Sequence, residues 1–455
     1  MTKPRGQMKL GAFLYPTGHH LAAWRHPSST ADAGMNFPHY VEAAQLAERG
    51  LFDMLFVADN LTVWEGDESS IGHFSYVAWF EPISLMSALA AVTKHIGLVC
   101  TSSTTYDEPF HIARRFASLD LISGGRAGWN LVTSAKAAEA QNFGREEHLP
   151  KDERYQRARE FAEVVTGLWD SWEPDAFIRD KQSGLFFDSS KLHPLHHRGT
   201  HFRVRGPLNV GPSPQGRPIL VQAGASDDGR ELAAETADVI FTAHSNIASA
   251  QTFYADVKAR VRKHNRDPDD VKIMPGFFVV VGQSRDEARD KFEALQNLIH
   301  PKAGLLLLSN FLGLDMSAYD VDGPVPELPP SKTRSSRAQL MIDIARRENL
   351  SIRQLYMRIA GGRGHQQLYG TPVDIADKLE EWFTQGAADG FNIMPPILPQ
   401  SLRDFVDTVI PELQRRGLFR KAYAGKTLRE NLGLKWPVNR HVAAAAKRRR
   451  ATAAE

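Results

Sequence analysis

Polar side chains crowd the ends of several short apolar runs in this chain. The segment Leu119-Asp-Leu-Ile-Ser-Gly-Gly-Arg-Ala-Gly-Trp-Asn-Leu-Val-Thr-Ser134 is the most informative: a helix end, a Gly-Gly stop, an apolar run, then Asn130, Thr133 and Ser134. Other runs end on Tyr15, His19, His20, Trp24 and His26, on Asp59 and Asn60, on Ser102, Ser103, Thr104, Thr105 and Tyr106, and on His244. Such a mixture suits a large, half-apolar, hydrogen-bonding ligand. Gly224-Ala-Ser226, followed by Gly229-Arg230, leads into a helix. Free amides at a helix start, a serine hydroxyl and close approach at glycine make a phosphate site, although a simple capped turn reads equally well. Lys151-Asp-Glu-Arg-Tyr155 opens another helix. Its ammonium could attract a phosphate dianion, or the stretch could be an exposed charged first turn.

Several other chemistries find no support. The chain holds 17 histidines, among them His196-His197 and His201, but neither an HExxH pair nor a Cys/His ligand spacing, so no metal site is expected. Gly361-Gly-Arg-Gly364 follows no strand and lacks dinucleotide spacing. Gly425-Lys-Thr427 ends like a phosphate loop, but Arg420 stands where its first glycine should be. A net charge of +2 gives no reason to expect nucleic acid or membrane as a partner. The single cysteine, Cys100, lies in an apolar run, which excludes an intrachain disulfide and suits a reducing cytoplasm. No apolar stretch is long enough to span a bilayer, and the amino terminus lacks a signal-type core.

These groups must be positioned by eight β-rich runs, at Lys9–Tyr15, Met54–Ala58, Ile96–Thr101, Ala127–Val132, Ile219–Gln222, Val239–Thr242, Ile273–Val281 and Phe391–Met394. Between them apolar residues recur at helical spacing, as in 37–49, 82–93, 111–121, 153–169, 288–298 and 373–385. The alternation predicts an α/β fold with a parallel sheet closed into a (β/α)8 TIM barrel, whose polar strand ends share one face. A single domain over residues 1–436 is expected, with insertions at about 170–216 and 299–370 and a basic, frayed tail over 437–455. The second insertion is proline-dense at Gly323-Pro-Val-Pro-Glu-Leu-Pro-Pro330 and is a candidate lid.

The 119–134 segment, the first loop Gly18-His-His-Leu-Ala-Ala-Trp-Arg-His-Pro27 and the Glu-Arg-Tyr triplet closely resemble the two-component, flavin-dependent monooxygenases related to bacterial luciferase. The likeness is to the branch containing nitrilotriacetate, EDTA and dibenzothiophene sulfone monooxygenases, and it covers roughly residues 8–435. It implies FMN, received as FMNH2 from a separate NAD(P)H:flavin reductase. Dioxygen, as co-substrate, would add at the flavin C4a carbon and oxygenate a small organic molecule, with no metal. It implies a flavin contact at Asp59, which by itself reads equally as a helix cap or strand-end salt bridge, and phosphate contacts at Tyr155 and Ser226. Thr104, Asn130 and Gly224 are further cofactor-binding candidates beside them, Thr104 reading equally as an ordinary polar turn. Lys151 stands where many relatives have histidine and keeps a possible phosphate partner. Asn130 and His20 are the candidate catalytic groups, and Tyr15, Trp24 and Trp64 the candidate substrate contacts; for His20 and Trp24, loop packing reads equally well. A homodimer or homotetramer is implied. An F420-dependent hydride-transfer enzyme and a non-catalytic flavin-binding protein are the alternatives on the same fold.

The substrate class is open among aminopolycarboxylates, aryl sulfones, N-heterocycles and alkanes, and the candidate pocket residues divide by two chemistries. A polycarboxylate would want Arg25, Arg114, Arg115 or Arg126 in the site; an aryl or heteroaryl molecule would want Phe13, Trp24, Trp64, Phe74 or Trp79. The number of aromatic residues near the barrel mouth favours an apolar or heterocyclic molecule.

Overall fold

The computed structural model describes residues 6–134, 136–327 and 336–452. Eight parallel strands close into a barrel: β1 (Lys9–Leu14), β2 (Met54–Val57), β3 (Gly97–Ser103), β4 (Ala127–Val132), β5 (Ile219–Ala223), β6 (Val239–Thr242), β7 (Lys272–Val281) and β8 (Gly390–Met394). Consecutive strands pair, and β8 returns to β1 with Leu10 opposite Phe391. Most strand residues are buried on both faces, which is why the strands read as continuous apolar runs.

Helices pack outside: α1 (Phe37–Arg49), α2 (Pro82–Ala90), α3 (Pro109–Ser123), α4 (Lys151–Trp169), α5 (Asp227–Thr236), α6 (Ile247–Lys263), α7 (Arg285–Asn297) and α8 (Pro372–Thr384). Helix α3 stops at Ser123 because Gly124 takes the left-handed conformation, φ 69°, and caps it. Within the barrel, Phe13, Phe56, Val99, Val221, Phe241 and Phe278 fill the interior, and Leu428, Leu432 and Leu434 join this cluster from the C-terminal segment. The barrel is a packed core, so a ligand must sit at its mouth.

The second insertion is more ordered than its composition suggests. It forms helices Pro301–Leu312, Ser336–Glu348 and Ile352–Ile359 and a ninth parallel strand, Gln366–Gly370, beside β7. That strand escapes sequence reading because Gln-Gln-Leu-Tyr-Gly has no apolar run. The helices have their own core, in which Leu306, Met341, Leu355 and Tyr356 meet Trp64, Phe74 and Tyr76 from the segment after β2. Residues 328–330 of the proline-dense segment lie outside the described residues.

The tail also departs from expectation. Arg440–Thr452 is helical, and its start is pinned: Asn439 donates to the carbonyls of Asp170 and Trp172, Arg440 pairs with Asp170 at 3.0 Å, and His441 stacks on His193. Several specific contacts hold a segment whose composition alone reads as a loose end.

Candidate functional site

A cavity of about 990 Å³ opens at the carboxyl ends of β2, β3, β4 and β5. It lies over one half of the barrel mouth. Its volume is at the upper end for small-molecule sites and leaves room for more than one ligand.

One end is a cradle. Ser226 caps α5, its Oγ accepting from the Gly229 amide at 3.2 Å, and the Tyr155 hydroxyl reaches the same Oγ at 3.3 Å from the first turn of α4. A Cβ on Gly229 would stand 3.1 Å from the Tyr155 hydroxyl and 3.3 Å from the Gly224 Cα, so only glycine leaves this hollow open. Lys151 lines the cavity beside it, paired with Asp228 at 2.8 Å, and that contact raises its pKa. Arg154 lines the cavity here too, donating to the carbonyls of Thr133 and Ser134 while its buried Nε has no partner.

The other end and floor come from β2, β3 and β4. Asp59 accepts from the Trp79 indole at 2.9 Å. Burial pushes its carboxyl up to about 6, with Glu81 and Glu139 adding to the rise and the Trp79 and Asn60 N–H groups opposing it. Thr101, Ser102, Ser103, Thr133 and Ser134 line the adjoining wall. Asn130 is buried beside it and donates to Thr101 Oγ1 at 2.7 Å, while its Oδ1 has no partner. A buried amide oxygen without a partner is uncommon and marks a place for a donor.

The structure therefore brings Asp59, Lys151, Tyr155, Gly224 and Ser226 to one cavity, with Asn130 against its wall, and separates the others. Thr104 is fully buried and does not line the cavity; its hydroxyl closes the strand end by donating to the Val132 carbonyl. His20 does not line it either. It is buried against Phe278 and Phe292 with Nε2 at 3.3 Å from Gln296, and burial lowers its pKa to about 4. Tyr15 packs on Phe13, His19 and Tyr76, beneath the Arg363 guanidinium. Trp64 belongs to the insertion's core, and Trp24 sits on a short turn away from the cavity lining.

The expected aromatic wall is absent: Phe13, Phe74 and Trp79 do not line the cavity, and Trp79 instead holds Asp59. Of the candidate arginines, only Arg115 reaches the lining, paired with Asp107 at 3.5 Å. Arg126 is buried at the other end of β4, where Ser123, Thr93, Ile96 and Ala90 take its donors. Arg25 donates to the Leu298 carbonyl, and Arg114 is exposed on α3. Sequence reading missed Lys136, Glu139 and Arg154. Their signal was proximity to the end of β4, two to five residues past Ser134 or within the quoted triplet. Among the described residues, no group of three or more His, Cys, Asp or Glu side chains could hold a metal, and no helix is long and apolar enough to cross a membrane.

The family profile described as luciferase-like monooxygenase matches residues 16–389. N-acetyl-S-(2-succino)cysteine monooxygenase of Bacillus subtilis (strain 168) is 53% identical over 444 residues, covering 97% of this chain and 100% of that one. Nitrilotriacetate monooxygenase component A of Aminobacter aminovorans is 50% identical, covering 95% and 98%. The crystal structure of DmoA from Hyphomicrobium sulfonivorans superposes with a TM-score of 0.86 at 33% identity, covering 94% and 92%.

Proposed function

We propose, since the chain belongs to the luciferase-like monooxygenase family, that it binds FMN in the reduced state and uses dioxygen to oxygenate a small organic molecule. The reduced flavin would come from a separate NAD(P)H:flavin reductase. The observation that carries this reading is one continuous cavity with an anion cradle at one end and a buried, hydrogen-bonding wall at the other. A flat ring system bearing a phosphate tail has that polarity.

The residues present fit the group. Ser226, the amides that open α5, Tyr155 and the hollow over Gly224 and Gly229 would take the phosphate, with Lys151 and Arg154 supplying positive charge. Asp59 and the unpartnered Oδ1 of Asn130 are acceptors for ring N–H groups, and Thr101, Ser102 and Ser103 offer hydroxyls alongside. Reduced FMN supplies the electrons that place one oxygen atom in the product and the other in water.

The chain's own work is positioning and the exclusion of water. Asp59 can hold or release a proton near neutral pH at its carboxylate. The helical insertion shares Trp64, Phe74 and Tyr76 with the segment that follows β2, so it is tied to one edge of the cavity. It is the part best placed to cover the bound pair.

Titration with FMNH2 under anaerobic conditions, followed by substrate-dependent oxygen uptake with a generic reductase, tests the reading. Binding near or below about 10 μM and substrate-dependent uptake are expected. No affinity for the reduced flavin refutes it. Hydride transfer to F420 without oxygen would instead assign the chain to the deazaflavin alternative.

A further inference from the structure

Lys136 and Arg154 are the two cavity cations for which the described residues show no carboxylate in ion-pair contact, and of the two only Lys136 stands away from the cradle. Lys151 is paired with Asp228 and Arg115 with Asp107, while Arg154 is occupied by two carbonyls beside the phosphate cradle. Lys136 reaches from the end of β4 across to the segment after β2. There its Nζ donates to the Asn60 side-chain oxygen at 3.0 Å and lies 4.2 Å from the centre of the Trp64 ring. Among the described residues, no carboxylate meets its Nζ in ion-pair contact. Two carboxylates, Glu139 and Glu65, act on it from a distance, and the oxygens of Glu139 accept from the Leu61 amide at 3.0 Å and from the Lys136 amide itself at 3.4 Å.

A half-buried ammonium in contact with one neutral acceptor and one aromatic face, with the Glu139 and Glu65 carboxylates acting on it only from beyond ion-pair range, keeps N–H donors free for a ligand in the cavity. Burial accordingly lowers its pKa to about 8. The cavity lining nearby, Asn60 and Leu61, belongs to the β2 side, whereas the cradle follows β5. The flavin phosphate and Lys136 therefore occupy different ends of the cavity. The aromatic groups that would have welcomed an uncharged aryl substrate lie outside the lining.

We propose that Lys136 is a specificity-determining residue that binds a carboxylate of the substrate, so that this enzyme oxygenates carboxylate-bearing small molecules. The inference rests on the flavin-monooxygenase reading above. Asn60 and Trp64 hold the ammonium in place, and the substrate carboxylate supplies the missing counter-charge. A charge-assisted hydrogen bond of this kind corresponds to about 10- to 100-fold in affinity.

The test uses the full chain loaded with FMN, and calorimetry with nitrilotriacetate, its trimethyl ester, N-acetyl-S-(2-succino)cysteine and dibenzothiophene sulfone as probes. FMN affinity of Lys136→Met and Lys136→Arg is measured in parallel. At least one carboxylate probe is expected to bind wild type, to weaken about 10- to 100-fold in K136M, and to recover in part in K136R, with FMN affinity unchanged in both. Loss of FMN affinity in K136M would assign the lysine to the cofactor and overturn the inference while leaving the proposed function standing. So would equal carboxylate binding by wild type and K136M, or binding of the sulfone or of no probe in place of the carboxylates. A wild-type chain that takes up no FMN would overturn both.

Discussion

Removing the indole N–H that Asp59 accepts should move a titration by a calculable amount. Burial is the main cause of the raised Asp59 pKa, and the Trp79 hydrogen bond, at 2.9 Å, is the largest influence holding it down to about 6. A hydrogen bond to a charged acceptor contributes about 1.5–3 kcal/mol, and one pKa unit corresponds to about 1.4 kcal/mol. Trp79→Phe keeps an aromatic ring but deletes the donor, so the ionised carboxylate loses that support. Its pKa should rise by about 1–2 units, to roughly 7–8, with the lower value expected if water enters the space left by the indole. The direction follows from charge: the donor favours the ionised form, so its loss favours the protonated one. The assay is the pH dependence of oxygen uptake with reduced FMN supplied separately, between about pH 5 and 9. Wild type should show a limb near 6, W79F the same limb displaced upward, and Asp59→Asn no such limb. A W79F profile superimposable on wild type, or displaced downward, would refute the assigned hydrogen bond. A limb that persists in D59N would refute Asp59 as its source.

Four further outcomes are expected. Ser226→Ala removes a helix cap and a cradle hydroxyl; about 1 kcal/mol of stability should be lost on chemical denaturation, together with about tenfold in FMN affinity. Gly229→Ala should leave stability close to wild type, since helix propensity gains about 0.5–1 kcal/mol against crowding, but should weaken FMN by about tenfold or more; unchanged affinity would place the phosphate elsewhere. His20→Ala should cost about 2–3 kcal/mol of stability and leave the ratio of product to oxygen consumed intact, measured below the new unfolding temperature. Arg126→Met should cost about 2–4 kcal/mol by leaving the carbonyls of Ser123, Thr93, Ile96 and Ala90 without donors, with no change in substrate KM.

The barrel was legible because its signals are local and repeated. Continuous apolar runs such as Val239–Thr242 and a glycine stop after α3 each fix an element without reference to the rest. The cradle was legible for a similar reason: serine cap, glycines and helix start are contiguous in the chain. Lys136 was not, because its placement depends on Asn60 and Trp64, more than seventy residues earlier, and among the described residues no carboxylate meets its ammonium in ion-pair contact. The placement of the aromatic candidates was illegible for the opposite reason. Trp64 and Phe74 follow a barrel strand, but the insertion supplies an apolar partner surface hundreds of residues later and draws them into a separate core. Hydrophobic burial is non-directional, so position beside a strand end does not decide which apolar surface a tryptophan will join.

The first loop, which resembles an active-site segment of the family, is tied into the fold by a dense set of contacts. Gly18 has φ 117°, and a Cβ there would stand 2.2 Å from the Pro396 carbonyl, so close approach to the turn after β8 demands glycine. From that point the backbone is tied on three sides. The amides of His19 and His20 donate to Pro395 and Pro396, and Leu21 donates to Ala360 of the insertion. The Tyr76 hydroxyl lies 3.0–3.2 Å from the carbonyls of Gly18, His19 and His20, and Arg363 donates to the His19 carbonyl. His19 closes the arrangement through Nε2, 2.9 Å from the Phe13 carbonyl, and burial keeps its pKa well below the ordinary histidine value, so the ring stays neutral. A neutral imidazole here satisfies a strand-end carbonyl, and a charged one would sit unpaired beside the Arg363 guanidinium. The loop thus fastens the barrel, the segment around Tyr76 and the helical insertion together. On the proposed reading, its histidines act by setting where the helical insertion rests against the barrel, and the intact coupling expected of His20→Ala is the outcome that separates this role from a catalytic one.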